Sequence, residues 1–345
     1  MKRTDSIQLS ILISLILLAV LLLMPLIVIV PFQSETHSEE VVPVEDIART
    51  PFTSGELDRE IHLRVLCDGT VQNMDLGTYL LGVVRAEMPA SFEQEALCAQ
   101  AVAARTYTLY QIQSGGRHGE TADICTDSAC CQAYLSEEKA QINWGDYADM
   151  YQQKIEYAVF NTDGQVILYQ EEPILAVFHS SSAGLTRAAG TVWMHDLPYL
   201  QAVTSPENDA VIPNYYSRVE FTGQEFSRRI LSSYPEAELS GEMGSWLRKP
   251  VVDSAGSVIS INVGGIAMKG SRLRSLLGLR SSCFTWEVQE GKLVFFVTGY
   301  GHGVGLSQYG ANQMAMDGAT WLEIVLHYYT DVTVGAYHFT TLNQS

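Results

Sequence analysis

The feature that most constrains this chain is an uninterrupted apolar run near its start. From Ile7 to Val30 only Gln8, Ser10 and Ser14 are polar, and Leu15 to Phe32 carries no polar side chain at all. A helix rises 1.5 Å per residue, so about 20 residues cross the hydrocarbon layer of a bilayer, and this run is long enough to span it with some tilt. Pro25 can kink such a helix without excluding it, because membrane helices tolerate proline. Lys2 and Arg3 precede the run, while Glu35, Glu39 and Glu40 follow it. The positive-inside rule therefore puts the N-terminus in the cytoplasm and the rest of the chain across the membrane. A cleaved signal peptide fits less well, since its apolar core is typically about 7–15 residues and ends in an Ala-x-Ala-like site. The expected organisation is a cytoplasmic tail at 1–6, a single transmembrane helix at 7–30, a spacer at 31–58 and an extracytoplasmic domain at 59–345.

Charge narrows what that domain can grip. The 345 residues hold 21 Lys+Arg against 39 Asp+Glu, a formal net charge of −18. Duplex recognition depends on neutralising phosphates, so a polybasic nucleic-acid binder is excluded as a first reading. At 47% apolar and 17% charged residues the chain is also too hydrophobic to be disordered. An anionic wall polymer would have to be held by stacking and hydrogen bonds rather than by bulk charge.

Along the exterior part, Ile61, Leu63 and Val65 alternate with polar neighbours and Asp68-Gly69 makes a tight turn, which predicts a hairpin. Asp75 can cap a helix running through Tyr79, Leu80 and Val83 and stopping before Pro89. Ser91 with Gln94 has capping-box spacing ahead of the strongest helix, FEQEALCAQAVAARTYTLYQIQ, in which Leu97, Ala101, Ala104 and Thr108 form a narrow stripe of small residues. A cysteine-bearing loop follows, then a helix around 146–160 and two strands that turn at 171–173. Residues about 196–250 are polar, with Pro206, Pro213 and Pro235 marking loops. A β-rich patch follows, with strands in GSVISINVGG and GKLVFFVTG and a short helix between them, and about 196–290 reads as a smaller lobe. The glycine-rich GYGHGVGLSQYGA and a last helix opened by Thr320 and Glu323 complete the chain. Helices and strands intersperse without a regular βαβ period, so the fold class is α+β, mixed helices and antiparallel strands in one large domain.

Three groups of residues could carry chemistry. Glu87 ends an apolar helix just ahead of Pro89, where the helix dipole and apolar neighbours both disfavour the charged carboxylate. That is the environment of a general acid working near neutral pH, and equally the address of an ordinary exposed glutamate. His118, Cys125, Cys130 and Cys131 supply four ligands within 14 residues, enough for one tetrahedral Zn²⁺ if the backbone turns between the adjacent cysteines. Asp123 and Asp127 are reserve ligands. A disulfide, with Cys67, Cys98 and Cys283 as further partners, is the competing reading in an oxidising exterior. The segments FHSSSAG (178–184) and GYGHGVGLSQYG (299–310) place glycines around His302, which implies close backbone approach to a ligand or another strand. Ser181 or Ser307 with His179 or His302 does not make a serine hydrolase signature, because neither serine sits in Gly-x-Ser-x-Gly.

Taken together, EMPASFEQEALCAQAVAARTYTLY, DICTDSACCQAY, FHSSSAG and GHGVGLSQYGA resemble the stage II sporulation protein D family from about Asp58 to the C-terminus. The resemblance implies a membrane-anchored lytic transglycosylase of endospore-forming bacteria. Such an enzyme cuts the β-1,4 bond after N-acetylmuramic acid in peptide-stripped glycan strands and leaves 1,6-anhydro ends during forespore engulfment. It also implies two partners, the amidase stage II sporulation protein P and the scaffold stage II sporulation protein M. Glu87 occupies the catalytic glutamate position of the E-M-P block. Cys125 and Cys131 match the family's zinc cysteines, and Cys130 stands where a histidine is expected, so that with His118 the chain offers a closed, structural Cys₃His set. Arg105, Tyr107, Ser181, His302 and Gln308 are the expected substrate-groove residues. A wall-binding or scaffold protein without catalysis, or a glycoside hydrolase, are the alternatives.

Overall fold

The computed structural model describes residues 55–193 and 195–337. The expected cytoplasmic tail, the span at 7–30 and nearly all of the spacer lie outside the described residues. Among the described residues no helix is long and apolar enough to cross a membrane.

The first elements follow the local sequence closely. Strands His62–Cys67 and Thr70–Asp75 pair antiparallel in the register His62↔Asp75 to Cys67↔Thr70. Asp68 and Gly69 both take positive φ, 48° and 83°, as a two-residue hairpin turn demands. The second strand runs straight into helix Leu76–Glu87, whose N-cap is Asp75, accepting from the Thr78 amide at 2.9 Å. Extended Met88 and then Pro89 end it.

Helix Gln94–Gln113 is the pillar of the fold. Nearly every side chain from Ala96 to Leu109 is buried, not just the stripe of small residues. It packs against helices Leu76–Glu87, Ala148–Asn161, Gln308–Met316 and Trp321–Tyr328 and against strand Gln165–Tyr169. A helix enclosed on all sides can show little amphipathic pattern, and alanines at 96, 99, 101, 103 and 104 let its neighbours come close. The capping box expected from Ser91 and Gln94 does not form. The helix begins two residues later than that motif, with Glu93 at the N-cap and no side-chain cap, and the Glu93 amide donates to Asn312 Oδ1 at 2.8 Å.

Asp58 belongs to the fold, not to the spacer. It sits in the short helix Glu56–Glu60, 1% exposed, with the amides of Leu57 and Asp58 held by the Asp163 carboxylate at 3.1 and 3.0 Å. Its own carboxylate pairs with Arg105, so the boundary read at Asp58 falls too late.

The class is α+β: antiparallel pairs dominate, with two short parallel pairs, Val65–Leu66 beside Ile124–Cys125 and Phe178–His179 beside Leu306–Ser307. Two hydrophobic cores form. The larger surrounds the central helix and takes in Tyr199 and Leu200. The second is drawn from Phe221 to Val297, where two three-stranded antiparallel sheets close over Phe226, Trp246, Leu273 and Phe295. The stretch at 196–290 is therefore shared between the two cores.

The glycine-rich segment approaches another stretch of backbone. Ser181 and Tyr300 exchange backbone hydrogen bonds at 3.0 and 2.9 Å, and the Arg187 amide donates to Gly303. A Cβ on Gly301 would lie 2.6 Å from the His179 Cβ, and one on Gly305 would lie 2.1 Å from the Val177 carbonyl oxygen. Side chains at either place would break the pairing of the two segments.

Candidate functional site

Glu87 is the last residue of its helix, and its carboxylate is turned inward. Oε1 accepts from the Ala133 amide at 2.8 Å, and the Gln308 side-chain amide also favours its charged form. Burial outweighs both and raises its pKa above the ordinary carboxylate value. The groups that touch it come from three places: the end of one helix, the segment leaving the cysteine loop and the first turn of helix Gln308–Met316. Gln308 is itself buried and donates to Gln100 Oε1, on the central helix, at 3.4 Å. Phe92, five residues after Glu87, and Tyr309, next to Gln308, meet edge to face at 4.9 Å between ring centres.

The cysteine loop is the second part of the site. Cys125 ends the short strand paired to Val65–Leu66, and the Tyr79 hydroxyl donates to its carbonyl at 3.2 Å. The amides of Cys130 and Cys131 both donate to the Asp127 carbonyl, at 3.0 and 2.7 Å, and this turn points the two adjacent thiols the same way. His118 Nε2 lies 3.5 Å from Cys130 Sγ and 3.7 Å from Cys131 Sγ, and the two sulfurs are 3.7 Å apart. The ligand atoms of all four residues lie within 4.8 Å of one another, so the cluster could hold a metal ion. Burial pushes the Cys125 and Cys131 thiols up. All six cysteines are free, which does not favour the disulfide reading. Neither reserve ligand joins the cluster: Asp123 pairs with Arg64 at 2.7 Å, and Asp127 Oδ1 accepts from the Ala129 amide.

Of the five expected groove residues, Gln308 acts on Glu87, Arg105 does not belong to a groove, and Tyr107 and Ser181 are buried. Arg105 is completely buried and forks onto Asp58 at 2.7 to 3.1 Å, with its remaining donors on Thr162 Oγ1 and the Val159 and Gln165 carbonyls. It has no free donor or surface for a sugar, and it orients the core rather than Glu87. Tyr107 is 7% exposed; burial raises its pKa to about 12, and Arg117 and the cysteine cluster are the charges it senses. Ser181 is buried on the backbone bridge to Tyr300, with its hydroxyl unpartnered. His302 Nδ1 accepts from the Val304 amide, and the ring stands 5.6 Å from both the His179 and Trp193 rings. Burial, then the charges of Arg274 and Arg187, lower its pKa to about 4, so it is neutral near pH 7.

Sequence reasoning missed Ala133 and Gln100. A backbone amide carries no sequence signal, but a lone glutamine amid the small residues of CAQAVAA was visible. It also missed Glu207, whose Oε1 collects hydrogen bonds from Ser182, Ser205 and Ser307.

Comparison with known proteins places this arrangement. A family model described as "SpoIID: Stage II sporulation protein" matches residues 68–169, which include Glu87, the central helix and the cysteine loop. The chain is 33% identical over 328 residues to stage II sporulation protein D of Bacillus amyloliquefaciens, covering 92% of this chain and 93% of that one. It is 33% identical over 323 residues to the protein of the same name from Bacillus subtilis, covering 91% and 92%. An amidase enhancer of Bacillus subtilis is 28% identical over 310 residues, 75% of this chain but 40% of the relative. Agreement at this level over nearly the whole of two relatives means that the chain belongs to the stage II sporulation protein D family.

Proposed function

We propose that this chain is a peptidoglycan lytic transglycosylase and that Glu87 is its single catalytic acid and base. The observation that carries the reading is the setting of that carboxyl group. It is buried enough to hold a proton above the usual carboxylate range, and the polar groups acting on it are two amides, not a second acid. A glycoside hydrolase generally works with two carboxyl groups, about 5–9.5 Å apart. A lytic transglycosylase finds its nucleophile in the substrate. Protonated Glu87 gives its proton to the glycosidic oxygen as the C1–O4 bond breaks. The resulting carboxylate then takes the proton of the muramoyl C6 hydroxyl while O6 closes on C1. The products are a free 4-hydroxyl on N-acetylglucosamine and a 1,6-anhydro end, with Glu87 protonated again. Positive charge on the sugar ring between these events favours the carboxylate close by.

The cysteine loop supports the site from beneath. For Zn–S bonds near 2.3 Å and Zn–N near 2.0–2.1 Å, a tetrahedron has S···S edges of about 3.7 Å and S···N edges of about 3.6 Å. Among His118, Cys130 and Cys131 the separations of 3.5, 3.7 and 3.7 Å match three of the six edges, and with Cys125 all four ligand atoms lie within 4.8 Å of one another. His118, Cys125, Cys130 and Cys131 would hold Zn²⁺ with all four positions filled by protein. Such an ion supplies folding energy rather than an activated water. Two residues beyond Cys131, the Ala133 amide reaches Glu87, so the ion would fix a donor at the site.

The reading extends to the setting of the reaction. The apolar run at 7–30 would tether the enzyme to the membrane facing the septal wall, where an amidase, stage II sporulation protein P, supplies stripped strands and stage II sporulation protein M holds the assembly during engulfment. The decisive experiment incubates the purified chain with peptide-free glycan strands and weighs the products. Anhydro ends support the proposal, reducing ends would make it a hydrolase, and intact strands would leave a wall-binding or scaffold protein.

A further inference from the structure

Glu207 is a partly buried acid outside the proposed reaction, at the meeting point of three segments. Its Oε1 accepts from the Ser182 amide at 2.9 Å and from the hydroxyls of Ser182, Ser205 and Ser307 at 2.8, 3.0 and 2.5 Å. Four donors on one carboxylate oxygen bind the 178–184 segment, the 205–207 turn and the start of helix Gln308–Met316 into a single knot. Ser205 is tied further to the buried Tyr328 hydroxyl at 2.7 Å. The space around the knot is closed, since a Cβ on Gly310 would lie 2.2 Å from both Ser205 Oγ and the Tyr328 hydroxyl and 3.3 Å from Glu207 Oε1.

Ser307 gives this knot its consequence. It is the N-cap of helix Gln308–Met316, its oxygen accepting from the Gly310 amide while its proton goes to Glu207. The next residue is Gln308, whose side-chain amide donates to Gln100 Oε1 at 3.4 Å and also favours the charged form of the Glu87 carboxyl. A cap fixes the rotation and pitch of a helix's first turn, and the first turn is where Gln308 sits.

We infer that Glu207 is a positioning residue: through Ser307 it sets the first turn of helix Gln308–Met316 and so aims the Gln308 amide at Glu87. This rests on Glu87 being the reacting acid. Glu207 acts by accepting hydrogen bonds, not by its charge on the substrate. A glutamine keeps an acceptor oxygen at the same place, whereas an alanine keeps none.

The test is a cycle built from Glu207→Ala, Gln308→Ala and the double variant, with Glu207→Gln as the rescue. Two measurements are made: kcat and KM on peptide-free glycan, and the Glu87 pKa by ¹³C NMR titration of side-chain-labelled protein. The polar groups acting on Glu87 are the Ala133 and Gln308 amides, so losing the second should move its pKa upward. Glu207→Ala should lower kcat about tenfold with KM little changed, a loss typical of a misaimed group. It should shift the Glu87 pKa in the same direction as Gln308→Ala. The double variant should be no worse than Gln308→Ala, and Glu207→Gln should recover most of the rate and the pKa. Losses that multiply in the double variant, or a Glu87 pKa that does not move, would overturn the inference. If Glu207→Ala does not fold, Ser307→Ala removes one hydroxyl from the same chain of contacts and carries the same cycle. A wild type that leaves glycan uncut would count against Glu87 as the reacting acid, while the titration would still judge the link from Glu207.

Discussion

A buried arginine and a half-buried glutamate, both singled out by sequence as site residues, have opposite surroundings. Arg105 spends every donor: two nitrogens on Asp58 and the others on Thr162 and two carbonyls, with the pair 0% and 1% exposed. Glu87 has two amides for its carboxyl group, and burial still outweighs them. A charge whose partners are complete has no reason to react and serves to hold segments together. A charge left partly compensated has a proton affinity poised to change when a substrate arrives. The same central helix contributes to both, through Arg105 itself and through Gln100 beside Gln308.

That contrast is open to direct attack. The largest expected effect is at Glu87: Glu87→Gln should reduce glycan cleavage by about 10²–10⁴-fold, the usual worth of a general acid, with folding intact, as seen in rates and circular dichroism. A variant that cuts at the normal rate would put the chemistry elsewhere. Next comes Arg105→Met, which should cost about 3–5 kcal/mol in denaturant unfolding because Asp58 is left buried and unpaired. Arg105→Met with Asp58→Leu should recover much of that loss, and the folded fraction of each should cut glycan normally. A specific loss of kcat in the well-folded double variant would return Arg105 to the active site.

The sequence was most informative where the deciding interactions are local. The Asp68-Gly69 turn, the Asp75 cap and the Thr320–Glu323 capping box all formed as read. Each needs only residues within a few positions of one another. Ser91 with Gln94 had equally good spacing and failed: the helix is capped at Glu93, whose amide goes to Asn312, 219 residues away. Arg105 was misread for the same reason: its partner Asp58 lies 47 residues back, in a segment that looked like linker. The His118, Cys125, Cys130 and Cys131 cluster was legible because its four members fall within one loop. The hydrogen-bond acceptor at Glu207 was not, since its donors are spread over more than a hundred positions.

Two smaller effects sharpen the comparison further. Cys131→Ser should lower the melting temperature, at roughly 2–4 °C for each ~1 kcal/mol lost in a domain of this size, and lower the bound zinc measured by atomic emission. Any fall in activity should follow the loss of folded protein. The stability of Glu87→Gln relative to wild type should depend on pH with a definite sign. The folded-state pKa of Glu87 is raised, so the folded chain holds its proton more tightly than the unfolded one. Below the unfolded carboxylate pKa both states are protonated and the two proteins should melt alike. As pH rises through the folded pKa the wild type alone must bury a charge, and the variant should become the more stable. A gap that opens toward acid instead would mean that Glu87 is better solvated than its surroundings indicate. Smallest of all, His302→Asn should leave the pH–rate profile unmoved between pH 5 and 8, because the ring is already neutral there.

The pinning of the short helix Glu56–Glu60 has a mechanical consequence. Its amides are held by Asp163 and its one buried carboxylate by Arg105, so tension on the chain ahead of Gly55 enters the domain at this clamp. The load passes to the pillar helix and to Asn161–Gln165 before it can reach the strand and turn leading to Glu87. A pull from that side would thus be taken up by an ionic anchor, and the end of the domain that carries Glu87 would be spared the strain.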